Sequence, residues 1–155
     1  MSDYIKYIRE KVGHDMIIMV GCGVFVYKDG KVLLQRRKDN GCWGGHGGYK
    51  EPEETTEEGA RRELLEETGL IAGELQLLGV FSGFDMAHTY PNGDKVEIVD
   101  VAYICQDFSG ELLQETDETS ELKWFEIDDM PEDISPPNKS SMKAFVAWAR
   151  NKDKG

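Results

Sequence analysis

The sequence predicts an α+β, or mixed α/β, protein in which a mixed β-sheet packs between helices. Three observations carry this. Apolar runs rich in Val and Ile outnumber segments with helical spacing, Asp29-Gly30 and Tyr90-Pro91-Asn92-Gly93-Asp94 read as tight turns, and helical patterns stand at the start, middle and end of the chain.

Taken in order, Tyr4, Ile5, Ile8 and Val12 share one helical face, so residues 1–13 read as a short N-terminal helical extension. Met16 to Tyr27 reads as a buried strand, and Asp29-Gly30 turns it into a second over Lys31 to Arg37. Gly41, Gly44, Gly45, Gly47 and Gly48 cluster with Cys42, Trp43 and His46, which predicts a loop whose backbone approaches something closely. Thr55 or Thr56 caps a helix running to about Thr68, with Gly69 at its stop. Leu75 to Phe84, Val96 to Cys105 and Leu122 to Phe125 follow as strands. Asn138 to Asn151 returns to helix, with Met142, Phe145, Val146 and Ala149 on one side.

The 155 residues predict one domain, 1–155, able to bury a core without staples. A net charge of −12 excludes binding to a nucleic-acid duplex through bulk charge, although the basic residues gather towards the front. The acidic stretch from Asp107 to Asp133 reads as solvated surface. Cys22, Cys42 and Cys105 are far apart and odd in number, as a reducing compartment allows, and no apolar run spans a bilayer. A cytoplasmic protein, monomer or homodimer, is expected.

The chemistry lies between Gly48 and Leu70. At about 100° per residue, Glu63, Glu66 and Glu67 share one arc of a helix, with Gly59 and Thr56 leaving open space in front of them. Like charges at these spacings repel. A hard divalent cation would turn the repulsion into binding, and the glycine-rich segment upstream offers backbone groups to metal or phosphate. On this geometry alone, a solvated acidic helix is the other reading.

Gly48, then Glu54, then Arg62-Glu63-Leu64-Leu65-Glu66-Glu67-Thr68-Gly69-Leu70 resembles the Nudix box of the Nudix hydrolases, at every fixed position. Leu33-Leu34-Gln35-Arg36-Arg37, Trp43-Gly44 and Leu122-Lys123-Trp124-Phe125 extend the resemblance over roughly Met16 to Phe125. The resemblance implies a sheet between helices and metal-dependent hydrolysis of a phosphoanhydride in a nucleoside diphosphate linked to another group. It implies Mg²⁺ or Mn²⁺ on Glu63, Glu66, Glu67 and the Gly47 carbonyl, with Glu54 and Arg62 paired to brace the loop. Arg62 lies beside the metal arc, which suits bracing, and Leu64 and Leu65 point elsewhere, as core.

Arg36 or Arg37 is the candidate phosphate contact. The general base is Glu63, Glu67 or a later acid among Glu115, Asp117 and Glu118; Glu97 or Asp100 can add a metal ligand or serve in the same way. Two positions depart from the family pattern: Gly45-His46 stands where Leu-Pro is common, and Glu53 where Gly is common. His46 reads as a loop histidine facing water, and Glu53 as added acidic surface. The proline that the family's ADP-ribose enzymes often carry beyond the box is replaced by Asp85-Met86. Nucleoside triphosphates, nucleotide sugars and dinucleoside polyphosphates therefore stay open as substrates. A nucleotide sensor without catalysis is the alternative on the same fold.

Overall fold

The computed structural model describes residues 3–154, with the side chains of 153 and 154 set aside. Residues 1 and 2 of the expected extension, and residue 155, lie outside the described residues. Helix α1 spans Asp3–Val12, and strands β1 (Ile17–Lys28) and β2 (Lys31–Arg37) follow. They form a hairpin through Asp29 and Gly30, whose φ values of 52° and 78° are the pair of left-handed residues that a two-residue turn requires.

The glycine-rich segment is not the loop that its composition predicts. It forms two short strands, β3 (Trp43–Gly44) and β4 (His46–Tyr49). β3 pairs with β2, and β4 lies antiparallel to β1 in the register Gly23↔Gly47 and Cys22↔Gly48. Ladder hydrogen bonds come from the backbone, so residues of poor strand propensity join a sheet where a long apolar strand templates them.

Helix α2 (Thr56–Thr68) is capped by Thr55, whose side chain accepts from the Glu58 N–H at 3.0 Å. It ends at Gly69, φ 83°, whose N–H reaches the Leu65 carbonyl. Strands β5 (Leu70–Ala72), β6 (Leu75–Phe81), β7 (Ala87–Thr89), β8 (Lys95–Cys105), β9 (Phe108–Gly110) and β10 (Thr119–Glu126) lead to helix α3 (Lys139–Lys154). Of the expected Leu75–Phe84 strand, the last part leaves the sheet, and Phe84 opens a 3-10 turn.

The main sheet runs β10-β2-β1-β8-β6. β1 and β8 are parallel over ten residue pairs, and the other pairs in this order are antiparallel, which makes the sheet mixed. Because side chains alternate along a strand, each face carries its own core. Cys22, Val24, Val26, Leu33 and Tyr103 meet Ala60 and Leu64 of α2. Phe25, Tyr27, Leu34, Ala102 and Ile104 meet Met142, Phe145 and Ala149 of α3. Leu65, expected in the core beside Leu64, is 50% exposed, because the two leave the helix 100° apart and only Leu64 faces the sheet.

Gly59 does not open space before the carboxylates. A Cβ there would stand 2.4 Å from Cys22 Sγ, so glycine lets α2 lie close on β1. Glu53 adopts φ 70° at the exposed turn before α2. Glu53→Gly removes that strain at some cost in unfolded-state entropy, and is expected to raise stability by roughly 0.5 kcal/mol in denaturant titration. A loss of stability would show that the Glu53 side chain holds the turn.

Candidate active site

The middle of α2 and the turn before the helix set the frame. Arg62 grips Glu54 with two parallel bonds, Nη2 to Oε1 at 2.8 Å and Nε to Oε2 at 3.1 Å. The same guanidinium donates to Glu63 Oε1 at 2.8 Å and to the Tyr49 carbonyl at 3.2 Å, and stands 3.6 Å from Glu66 Oε2. Glu54 Oε1 also accepts the Glu51 N–H at 2.8 Å. Arg62 thus ties the entering turn, β4 and two carboxylates of α2 together. Its bond holds the Glu54 carboxyl below the usual carboxylate range.

Glu63 and Glu67 are pushed the other way. Burial raises both, and each carries further repulsion from a neighbouring glutamate, Glu66 for Glu63 and Glu63 for Glu67. Glu67 is 4% exposed and accepts the Gly47 N–H at 2.8 Å and a bond from Gln35. Gly48 is a glycine because a Cβ there would sit 2.5 Å from Glu63 Oε1. Glu66 is 60% exposed at the rim.

Glu63 and Glu66 line a cavity of about 810 Å³ that also meets Gly47, Gly48, Arg62, Arg37, Asp100 and Glu118, while Glu67 lies buried behind its wall. Among the described residues, no three His, Cys, Asp or Glu side chains are gathered as a metal would hold them. Arg62 engages Glu63, while Gly47 and Gln35 engage Glu67. The donor set nevertheless fits a hard divalent cation. It consists of carboxylate oxygens, and two of them are buried close enough to repel, a repulsion that bound positive charge relieves.

The structure separates the two arginines. Arg37 lines the cavity and grips Asp39 with bonds of 3.0 and 2.9 Å. Arg36 leaves the strand on the opposite side, donates to the Gly41 carbonyl and lies over the Trp43 ring. Among the later acids, Asp100 and Glu118 line the cavity, whereas Glu97, Asp117 and Glu115 do not. Glu115 is paired with Lys38 at 3.0 Å.

His46 does not face water. It is 1% exposed, and its Nε2 donates to the Leu33 carbonyl at 2.9 Å, which leaves Nδ1 bare and buried without a partner. The side chain turns inward because β4 is a strand and alternation sends position 46 into the sheet. Burial lowers its pKa from 6.5 to about 4. The unfolded chain therefore binds the proton first as pH falls, and stability is lost between pH 6.5 and about 4, by up to about 3 kcal/mol. Denaturant titrations of wild type and His46→Gln across that window are expected to differ in slope, the variant being flatter. Parallel curves would clear His46 of this role.

Gln35 stands in the sequence only as part of Leu33-Leu34-Gln35-Arg36-Arg37, with no role of its own. It is 1% exposed, donates to the Gly45 carbonyl at 3.1 Å, accepts from Thr119 Oγ1 and reaches Glu67. Its signal is a lone amide closing the apolar run Val32-Leu33-Leu34.

Known proteins place this arrangement in a family. The NUDIX domain matches residues 18–148, and the chain belongs to that family of Nudix hydrolases. An ADP-ribose pyrophosphatase of Methanocaldococcus jannaschii is 34% identical over 151 residues, which is 96% of this chain and 80% of that protein. An oxidized purine nucleoside triphosphate hydrolase of Danio rerio is 37% identical over 112 residues, 70% of this chain and 66% of that protein. The crystal structure of a MutT NUDIX hydrolase from Burkholderia pseudomallei superimposes with a TM-score of 0.71 at 32% identity, covering 83% of this chain and 98% of that one. None of the described helices is long and apolar enough to cross a membrane.

Proposed function

We propose that this chain is a divalent-cation-dependent pyrophosphohydrolase. Its substrate on this reading is a nucleoside diphosphate linked to another group, cleaved at the phosphoanhydride. The observation that carries the reading is the wall of α2 carboxylates, braced by Arg62 and set beside the close-packed glycines of β4 at one cavity.

Glu63, Glu66 and Glu67, with the Gly47 carbonyl, would hold Mg²⁺ or Mn²⁺. Such an ion offsets diphosphate charge and acidifies an attacking water. The protein's own groups do the rest. Arg62 fixes Glu54 and Glu63, so the carboxylates keep their places when substrate arrives. Gln35 and the Gly47 N–H orient Glu67. Arg37, already on the cavity wall, is the cation positioned to meet a phosphate. Glu63 and Glu118 face the cavity and are the candidates to take the proton of the attacking water.

The relatives named above widen the panel, because one is an ADP-ribose pyrophosphatase and another a triphosphate hydrolase. The test is turnover of nucleoside triphosphates, ADP-ribose, nucleotide sugars and dinucleoside polyphosphates with Mg²⁺ or Mn²⁺, with products identified. Release of a nucleoside monophosphate from one class, abolished by a chelator, is expected. Nucleotide binding without turnover of any class would replace the hydrolase by a sensor.

A further inference from the structure

Asp100 is a carboxylate on the cavity wall that the proposed chemistry leaves unused. Among the described residues, nothing donates a hydrogen bond or ion pair to it. It stands in β8, in the row Tyr49–Gly21–Asp100–Phe81 that crosses four adjacent strands. Residues in such a row share a face, so the carboxylate projects from the sheet beside a strand position with no side chain. A Cβ on Gly21 would lie 3.3 Å from Asp100 Oδ1 and 3.2 Å from Ile98, so glycine keeps the space around the carboxylate clear.

The clusters that flank it in the sheet are apolar, although the same cavity also meets Arg9, Tyr90, Asp94 and Asn138. On one side is the cluster of Met19, Met86, Val96 and Ile98, and on the other the cluster around Phe25 and Ala102. This is a poor place for a metal ion, which wants several oxygens where one carboxylate is offered. A sugar, polar on every side, suits it no better. A flat ring with apolar faces and a polar edge fits both the walls and the floor. Asp100 lies two strand spacings from Tyr49, roughly 10 Å, on the sheet face opposite α2, but one cavity meets it, Gly47, Gly48, Glu63 and Glu66, so a base here leaves the diphosphate within reach of the carboxylates.

We propose that Asp100 reads the nucleobase, and that it selects a base edge with two adjacent N–H donors, as guanine presents with its ring N–H and exocyclic amino group. Burial raises this carboxyl to about 6, which leaves it ionised at neutral pH, and an ionised carboxylate only accepts. Adenine and cytosine each set a ring acceptor beside their amino group, and uracil flanks its single N–H with carbonyl oxygens. Hypoxanthine offers the ring N–H without the amino group. The assignment deepens the hydrolase reading and rests on it for the word substrate.

The test compares GTP, ITP and ATP as substrates, and GDP with IDP in calorimetric binding, for the wild type and Asp100→Asn. Loss of one hydrogen bond to a buried charge predicts that GTP exceeds ITP in kcat/KM by roughly 10- to 100-fold. Asp100→Asn exchanges one acceptor for a donor, and is expected to collapse the GTP/ITP ratio towards one while ATP gains relative to GTP. A wild-type ratio near one overturns the assignment, with no need of a variant. So does an Asp100→Asn protein that loses GTP and ITP turnover by the same factor. GDP preferred over IDP without turnover of any nucleotide keeps Asp100 as the reader and removes the hydrolase. Turnover without base preference does the reverse, and neither binding nor turnover overturns both.

Discussion

Glu66→Gln is expected to lower metal-dependent kcat/KM by 100-fold or more while leaving the fold and its stability nearly unchanged. The two halves of that expectation have separate causes. Glu66 is 60% exposed and its contact with Arg62 is long, at 3.6 Å, so an exposed pair of this kind holds little stability. Glutamine keeps the volume but gives up the charge that a divalent ion needs. Removal of one charged group that stabilises a transition state costs roughly 10²- to 10³-fold. Turnover measured across a Mg²⁺ titration, beside a thermal melt, checks both halves. Near-wild-type rates at limiting Mg²⁺ would remove Glu66 from the proposed ligand set.

Gly47→Ala has the opposite profile, a loss of the scaffold itself. Its Cβ would stand 2.5 Å from the Cys22 carbonyl oxygen and 2.7 Å from Gly23 Cα. Both are backbone atoms of the central strand and cannot swing away, so β4 must separate from β1. The expected cost is about 3 kcal/mol, or a Tm drop of roughly 10 °C, with activity lost alongside because Gly47 also positions Glu67. Gly48 differs in kind. The atoms that a Cβ would strike there belong to the Glu63 carboxylate, which can move, so stability suffers less than the site. A Gly47→Ala melt within 2 °C of wild type would show that β4 is not held as tightly as the register implies.

What the sequence reveals, it reveals where chemistry is local. Thr55 and Gly69 mark both ends of α2, and Asp29-Gly30 fixes the hairpin, because caps and two-residue turns are set by neighbours in the chain. The pairing of Glu54 with Arg62 was legible through the box resemblance, eight residues apart across one turn. The missing parts depend on distant partners. Nothing in Gly44 to Gly48 announces a strand, since it is the backbone of β1 that recruits them. His46 is buried for the same reason, and its carbonyl partner, Leu33, belongs to another strand. The parallel register of β1 with β8 is set by the packing of both faces, which no turn signal reports. Adjacent Arg36 and Arg37 had to face opposite sides of β2, but only the assembled sheet shows which side holds the cavity. Asp100 stands in the sequence beside Glu97 as a candidate ligand or base, and its neighbour in the row, Gly21, belongs to another strand that no local signal links to it.

On the proposed reading, the carboxylates of α2 hold the divalent ion on which turnover depends. Mn²⁺ titration followed by electron paramagnetic resonance tests it most directly, on wild type and on Glu63→Gln, Glu66→Gln and Glu67→Gln. Mn²⁺ is expected to bind the wild type and to bind each variant at least tenfold more weakly, with turnover falling in the same order. Mn²⁺ affinity unchanged in all three variants would contradict it.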